Sequence, residues 1–122
     1  MANRDFKDVQ ALERELKIIA GRVTVSSGGC TVADGAGFTV GNFSTGVVII
    51  TLDDKYSGLL HAGATLNIAG ADDDDFMRLK AHDVTSAKTV TFAAHDTAGT
   101  ADATPADGEF TFMLLLKNSS VT

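Results

Sequence analysis

The sequence predicts a mainly β protein, an antiparallel β-sandwich or small β-barrel preceded by one N-terminal amphipathic α-helix. Three observations carry this expectation. The apolar residues Val9, Leu12, Leu16 and Ile19 are spaced three, four and three apart, which draws a single stripe along a helix. From Arg22 onward the pattern changes to short apolar runs of period two, separated by turns rich in Gly, Ser and Asp. No helical crossover separates those runs, so the strands are expected to pair antiparallel.

The helix is expected to start near Asn3 or Asp5, either of which caps free backbone N–H groups. It is expected to stop near Gly21, a residue suited to the left-handed C-terminal position. Glu13 and Lys17 form an i,i+4 pair in the favourable order. Phe6 lies toward the side of Val9, and Ile18 broadens the apolar face. The chain thus divides into a helix, residues 1–21, and one β-domain, residues 22–122. A helix of this length is marginal alone in water, so its stripe needs a partner. Either the β-domain or copies of the same helix, packed through an a/d-like seam, supply it.

Along the β-domain, Val23 with Val25, Cys30 with Val32, and Phe38 with Val40 point to one face in turn. Ser27-Gly28-Gly29 and Asp34-Gly35-Ala36-Gly37 read as the turns between them. Gly46 to Leu52 is more continuously apolar and reads as a central strand buried on both faces. Asp53 to Gly58 is then expected to leave the sheet. Leu66 with Ile68, Phe76 to Ala81, and Val90 with Phe92 resume the strand pattern. Thr97 to Gly108 lacks apolar periodicity, holds the only proline, Pro105, and reads as an exposed loop. Glu109 to Lys117 reads as a long closing strand, with Phe110, Phe112 and Leu114 on one face and Met113 and Leu115 on the other. An apolar second face calls for cover by another sheet or another subunit.

Composition narrows the function classes. A chain of 122 residues is long enough to bury a core without staples. The single Cys30 allows no intramolecular disulfide, two-cysteine zinc site or redox pair. A net charge of −6 argues against nucleic acid or an anionic membrane as partner. Arg4, Lys7, Arg14, Lys17 and Arg22 are interleaved with Asp5, Asp8, Glu13 and Glu15, giving a mixed, solvated helix face. The opening MANRDFKDVQ lacks the apolar core of a signal peptide, and no apolar run is long enough to span a bilayer as a helix.

The candidate chemical sites are thin. Asp72 to Asp75 offers four carboxylates of the kind calcium prefers, without the spacing of an EF-hand loop, and reads as an acidic turn. His61, His82 and His95 are scattered, and the neighbours in His82-Asp83 and His95-Asp96 point to opposite faces of a strand. Cys30 reads as a small buried hydrophobe rather than a nucleophile. The glycine-rich turns carry no P-loop lysine and lead into no helix, and there is no G-x-S-x-G elbow. No catalytic residue, cofactor site or metal site is assigned. The residues singled out for self-association or docking are Phe6, Val9, Leu12, Leu16 and Ile19.

Three strings carry a resemblance: Arg4 to Glu13 (RDFKDVQALE), Thr51 to Leu60 (TLDDKYSGLL) and Leu114 to Val121 (LLLKNSSV). Together they resemble small virion structural proteins of tailed bacteriophages, especially those infecting cyanobacteria and other aquatic bacteria. The resemblance covers both ends and part of the middle of the chain. It implies a β-rich protein and, for some such proteins, a capsid decoration or cement role, commonly as a homotrimer on the outer capsid surface. The expectation is a non-enzymatic cement protein, made in the host cytoplasm, that binds the major capsid protein and takes no small-molecule substrate. Two rivals stand beside it. One is a head-fibre or tail adhesion protein whose Thr97 to Gly108 loop contacts host glycans. The other is a cellular β-domain that binds calcium through Asp72 to Asp75.

Overall fold

The structure is a computed structural model that describes residues 16–67, 76–95 and 108–118. These form eight strands: β1 (Leu16–Ser26), β2 (Gly29–Gly35), β3 (Phe38–Val40), β4 (Val47–Leu52), β5 (Tyr56–Asn67), β6 (Phe76–Asp83), β7 (Thr89–His95) and β8 (Gly108–Asn118). They pair antiparallel in two four-stranded sheets, the first in the order β2-β1-β8-β5 and the second in the order β3-β4-β7-β6. The expected mainly β architecture is what the described residues adopt.

Local chemistry sets the hairpins. Ser27 and Gly28 have φ of 51° and 82°, and Thr45 and Gly46 have φ of 53° and 77°. Two-residue turns with both φ positive match the right-handed twist of the strands they join. The first connects β1 to β2, where Ser26 pairs with Gly29, and the second closes the Ser44–Val47 bridge ahead of β4. The loop before that bridge is tied back to the first turn, because Phe43 N–H donates to the Gly28 carbonyl at 2.8 Å.

The core fills the space between the sheets. Val23, Val25, Phe110, Leu114 and Leu116 face inward from the first sheet, opposite Val48, Ile50, Leu52, Val90 and Phe92 of the second. Aromatic rings join the layers: Phe38 of β3 stands edge-on to Phe112 of β8 with centroids 4.8 Å apart, and Phe43 meets Phe110 in the same way at 5.9 Å. Edge-to-face geometry of this kind adds to simple burial. The strand β8 enters the middle of the first sheet between β1 and β5, so it is the most extensively paired strand there.

Several expectations are corrected. β1 begins at Leu16, inside the stretch expected to be helical, and Leu16 to Gly21 pair with Phe112 to Lys117 of β8. The boundary between helix and β-domain therefore does not fall after Gly21. The physical reason is that Leu16 to Ala20 are apolar on both sides of the chain, so period alone does not separate strand from helix, and the long-range ladder to β8 decides. Gly21 is no helix terminus but lies within β1. β4 is not buried on both faces, since Ile49 is 46% exposed while Val48, Ile50 and Leu52 are buried. The chain leaves the second sheet after Leu52 as expected, but only Asp53 to Lys55 lie between strands, because Tyr56 to Gly58 already belong to β5 of the first sheet. Cys30 and Val32 share one face, since they pair with Val25 and Val23, but Val32 is 37% exposed because β2 lies at the edge of the first sheet. The helix expected for residues 1–15, the acidic run Asp72 to Asp75 and the loop positions 97–107 lie outside the described residues.

Candidate functional site

The two outward faces of the sandwich differ. On the second sheet, Thr39 pairs with Thr51, Thr51 with Thr89 and Thr89 with Asp83, a polar row across all four strands. On the first sheet, the corresponding central rows are apolar across β1 and β8. Ile18 pairs with Leu115, which pairs with His61, and Ala20 pairs with Met113, which pairs with Gly63. Ile18 is 56% exposed and Met113 45%, and Leu115 is half-buried. A bulge between Leu59 and His61 adds Leu60, 49% exposed. Among the described residues, three of the six exposed large hydrophobes, Ile18, Leu60 and Met113, share this face, against Ile49 and Phe76 on the outer face of the second sheet, and such a cluster makes it the candidate interaction surface.

Charge is confined to the ends of this face. At one end Arg22 lies 3.9 Å from Glu109, whose other carboxylate oxygen accepts from the Asn67 amide at 3.0 Å. Asp34 pairs with Arg22 across β1 and β2 at the same level. Lys117 of β8, opposite Leu16, marks the other end. An apolar centre with a polar rim is the usual anatomy of a protein interface.

The face is also uneven. Beside Thr111 on one flank is a hollow of about 530 Å³, floored by Gly21 and Gly35 and walled by Ala20 and Arg22. On the other flank is a hollow of about 330 Å³ next to Gly63, between His61 and Met113. The missing side chain at Gly63 helps make the second depression, while Ile18 and Met113 make the projections.

The residues singled out from sequence fall in different places. Ile19 is buried in the sandwich core, Leu16 is half-buried at the start of β1, and Phe6, Val9 and Leu12 lie outside the described residues. Sequence reading missed Ile18, Ala20 and Leu60 as members of an outward face, although it found Met113 and Leu115. The signal available is the absence of alternation in Leu16 to Ala20, a pattern that a strand apolar on both sides shares with a helix.

The remaining candidates do not converge on a catalytic centre. Among the described residues no three His, Cys, Asp or Glu side chains gather as a metal ion would require. Cys30 is half-buried against the core, and burial pushes its thiol pKa up, partly opposed by its contact with the Phe43 backbone. A thiol held protonated is a poor nucleophile. On the second sheet Phe76, 49% exposed, stacks on His95 at 5.7 Å, and Arg78 Nε donates to His95 Nε2 at 2.8 Å.

Comparison with protein-family models, curated proteins and solved structures gives no significant match.

Proposed function

We propose that this protein is a non-enzymatic capsid decoration protein of a tailed bacteriophage. In this reading it trimerises on the outer capsid surface and bridges neighbouring major capsid protein subunits. It is made in the host cytoplasm and stabilises the shell against the pressure of packaged DNA. Its work is burial of surface across subunits, which favours the assembled state by mass action. The resemblance of its terminal and central strings to phage virion proteins supplies the setting. The observation that carries the reading is the strand β8, apolar on both faces, with its outer face open around Met113 and Leu115. The proposed docking elements are Phe6, Val9, Leu12 and Leu16, which precede and open β1, while Ile19 serves the core.

The test is the copy number and position of the protein in purified virions, by quantitative mass spectrometry and cryo-electron microscopy of the head. Hundreds of copies in trimers over the shell support the reading. A handful of copies, or density confined to the tail or a vertex, overturns it.

A second reading, a head-fibre or tail adhesion protein that binds host surface glycans, is favoured by one observation. The exposed Phe76 ring, flanked by Arg78 and His95, joins an apolar stacking surface to polar groups, the combination sugar faces use. Glycan-array binding by the wild-type chain that is lost in Phe76→Ala would move this reading to first place.

A further inference from the structure

The outer face of the first sheet carries its own projections and its own hollows. Ile18 and Met113 project from the centre, and the hollows beside Gly21 and Gly63 lie within the same face, on either side of Thr111. A facing surface can seat projections in such hollows, and the charges favour a copy of this chain. One end of the face carries Lys117 and the opposite end Arg22, Glu109 and Asp34, net negative by one, so the ends of two copies attract when they meet in opposite sense.

Size points the same way. Outward positions run over nine residues of β1 and of β8, Leu16–Thr24 and Glu109–Lys117, which at about 3.3 Å per residue is roughly 30 Å. Three strands, β1, β8 and β5, about 4.8 Å apart make the face roughly 14 Å wide, and β2 widens it only beside Gly21–Ser26, a footprint of roughly 500 Å². Two such footprints bury roughly 1,000 Å², at the threshold for a specific interface. A single helix, about 10 Å across, leaves an edge of that width uncovered. Another sheet spans all of it.

We propose that the outer face of the first sheet is the surface through which copies of this chain assemble, with Ile18, Met113 and Leu115 buried between them. The inference rests on the homo-oligomeric reading above and gives it a location. Two such faces meet in opposite sense, so the Lys117 end of each meets the Glu109 end of the other and the apolar centres are buried between them, an isologous contact.

The experiment is the solution mass of the full chain by light scattering after size exclusion, for wild type and for Leu115→Glu, Met113→Lys and Ile49→Glu. Ile49 is an equally exposed apolar residue on the other sheet and serves as the control. Far-ultraviolet circular dichroism and thermal melts report folding, and Met113→Lys keeps the test decisive if Leu115→Glu fails to fold. The expected result is a wild-type mass of at least twice 12.7 kDa, retained in Ile49→Glu and reduced to one chain in the folded β8 variants. A mass of two chains that dissociates in the same variants supports the surface and contradicts the trimer. A monomeric wild type, or an oligomer that survives both β8 substitutions, overturns the inference. Capsid occupancy by a monomeric wild type leaves the decoration reading intact while this surface fails. Dissociation by Leu115→Glu in a protein absent from capsids does the reverse.

Discussion

The ring of Phe38 rests on the backbone of Gly21, across the two sheets of the sandwich. A Cβ placed at Gly21 would lie 2.7 Å from Cε1 of Phe38 and 2.9 Å from Cε1 of Phe112. Real Cβ atoms do not approach so closely, so glycine here is the condition for the Phe38–Phe112 pair to form. That pair is one of the contacts that hold the first and second sheets together.

Gly21→Ala is therefore expected to destabilise the fold by about 1–3 kcal/mol, the usual cost of overpacking a filled core. Gly63→Ala is the comparison, because the added carbon there meets only the end of the His61 ring at 3.3 Å. Urea midpoints of the two variants measure the difference. Equal effects would show that the Phe38 contact does not constrain Gly21.

The same glycine shows how far the sequence could be read. The alternating strands at Val23, Phe38, Val90 and Phe110, the turn at Ser27-Gly28 and the two-faced apolar character of β8 were all legible, because they depend on period two and on turn residues. The strand identity of Leu16 to Ala20 was not. Those residues are apolar at nearly every position, and their structure is set by pairing with Leu114 to Lys117 almost a hundred positions away. Gly21 follows that run and looks like a helix stop, whereas its purpose is the ring of Phe38. The candidate surface was half legible: Met113 and Leu115 announced an outward apolar face, but Ile18 and Ala20 join it only once β1 is a strand.

The correction to β1 separates two groups of residues that a helical stripe would treat alike. Ile19→Asp places a charge in the core and is expected to unfold the chain at room temperature. Leu12→Asp is expected to leave the melting temperature of the sandwich within a few degrees while reducing capsid occupancy. Circular dichroism melts of both variants, with occupancy measured on heads, check the pair. Comparable unfolding by Leu12→Asp would show that the segment before Leu16 is part of the β-domain's own core.

Phe112 touches Phe38, Phe92 and Phe110. Phe112→Ala is expected to cost about 3–5 kcal/mol, against less than about 1 kcal/mol for Ile49→Ala on the exposed face. Chemical denaturation of the two variants provides the measurement, and similar costs would contradict the assigned core.

Thr45 occupies a positive-φ position, with φ of 53°, which a β-branched residue tolerates poorly. Thr45→Asn creates Asn-Gly, the preferred pair for this turn, and is expected to stabilise the protein by about 0.5–1 kcal/mol. A lowered melting temperature would mean that the Thr45 side chain makes a contact worth more than the strain.

Burial raises the Cys30 thiol above its ordinary range. A group whose folded value is raised contributes stability while it is protonated in both states, and that contribution is lost as pH rises through the folded value. Wild type is accordingly expected to lose stability relative to Cys30→Ala as pH climbs above about 8.5, the ordinary thiol value. Urea midpoints of both proteins from neutral to alkaline pH give the difference. A gap that widens in favour of wild type would reverse the sign.

The most direct test of the central claim uses capsids that lack this protein. Purified wild-type chain is added to such heads, bound copies are counted, and the temperature of DNA release is recorded. The account predicts saturable binding at hundreds of sites and a higher release temperature, with both effects reduced in Leu12→Asp. Binding to tails alone, or no binding and no change in release, would contradict it.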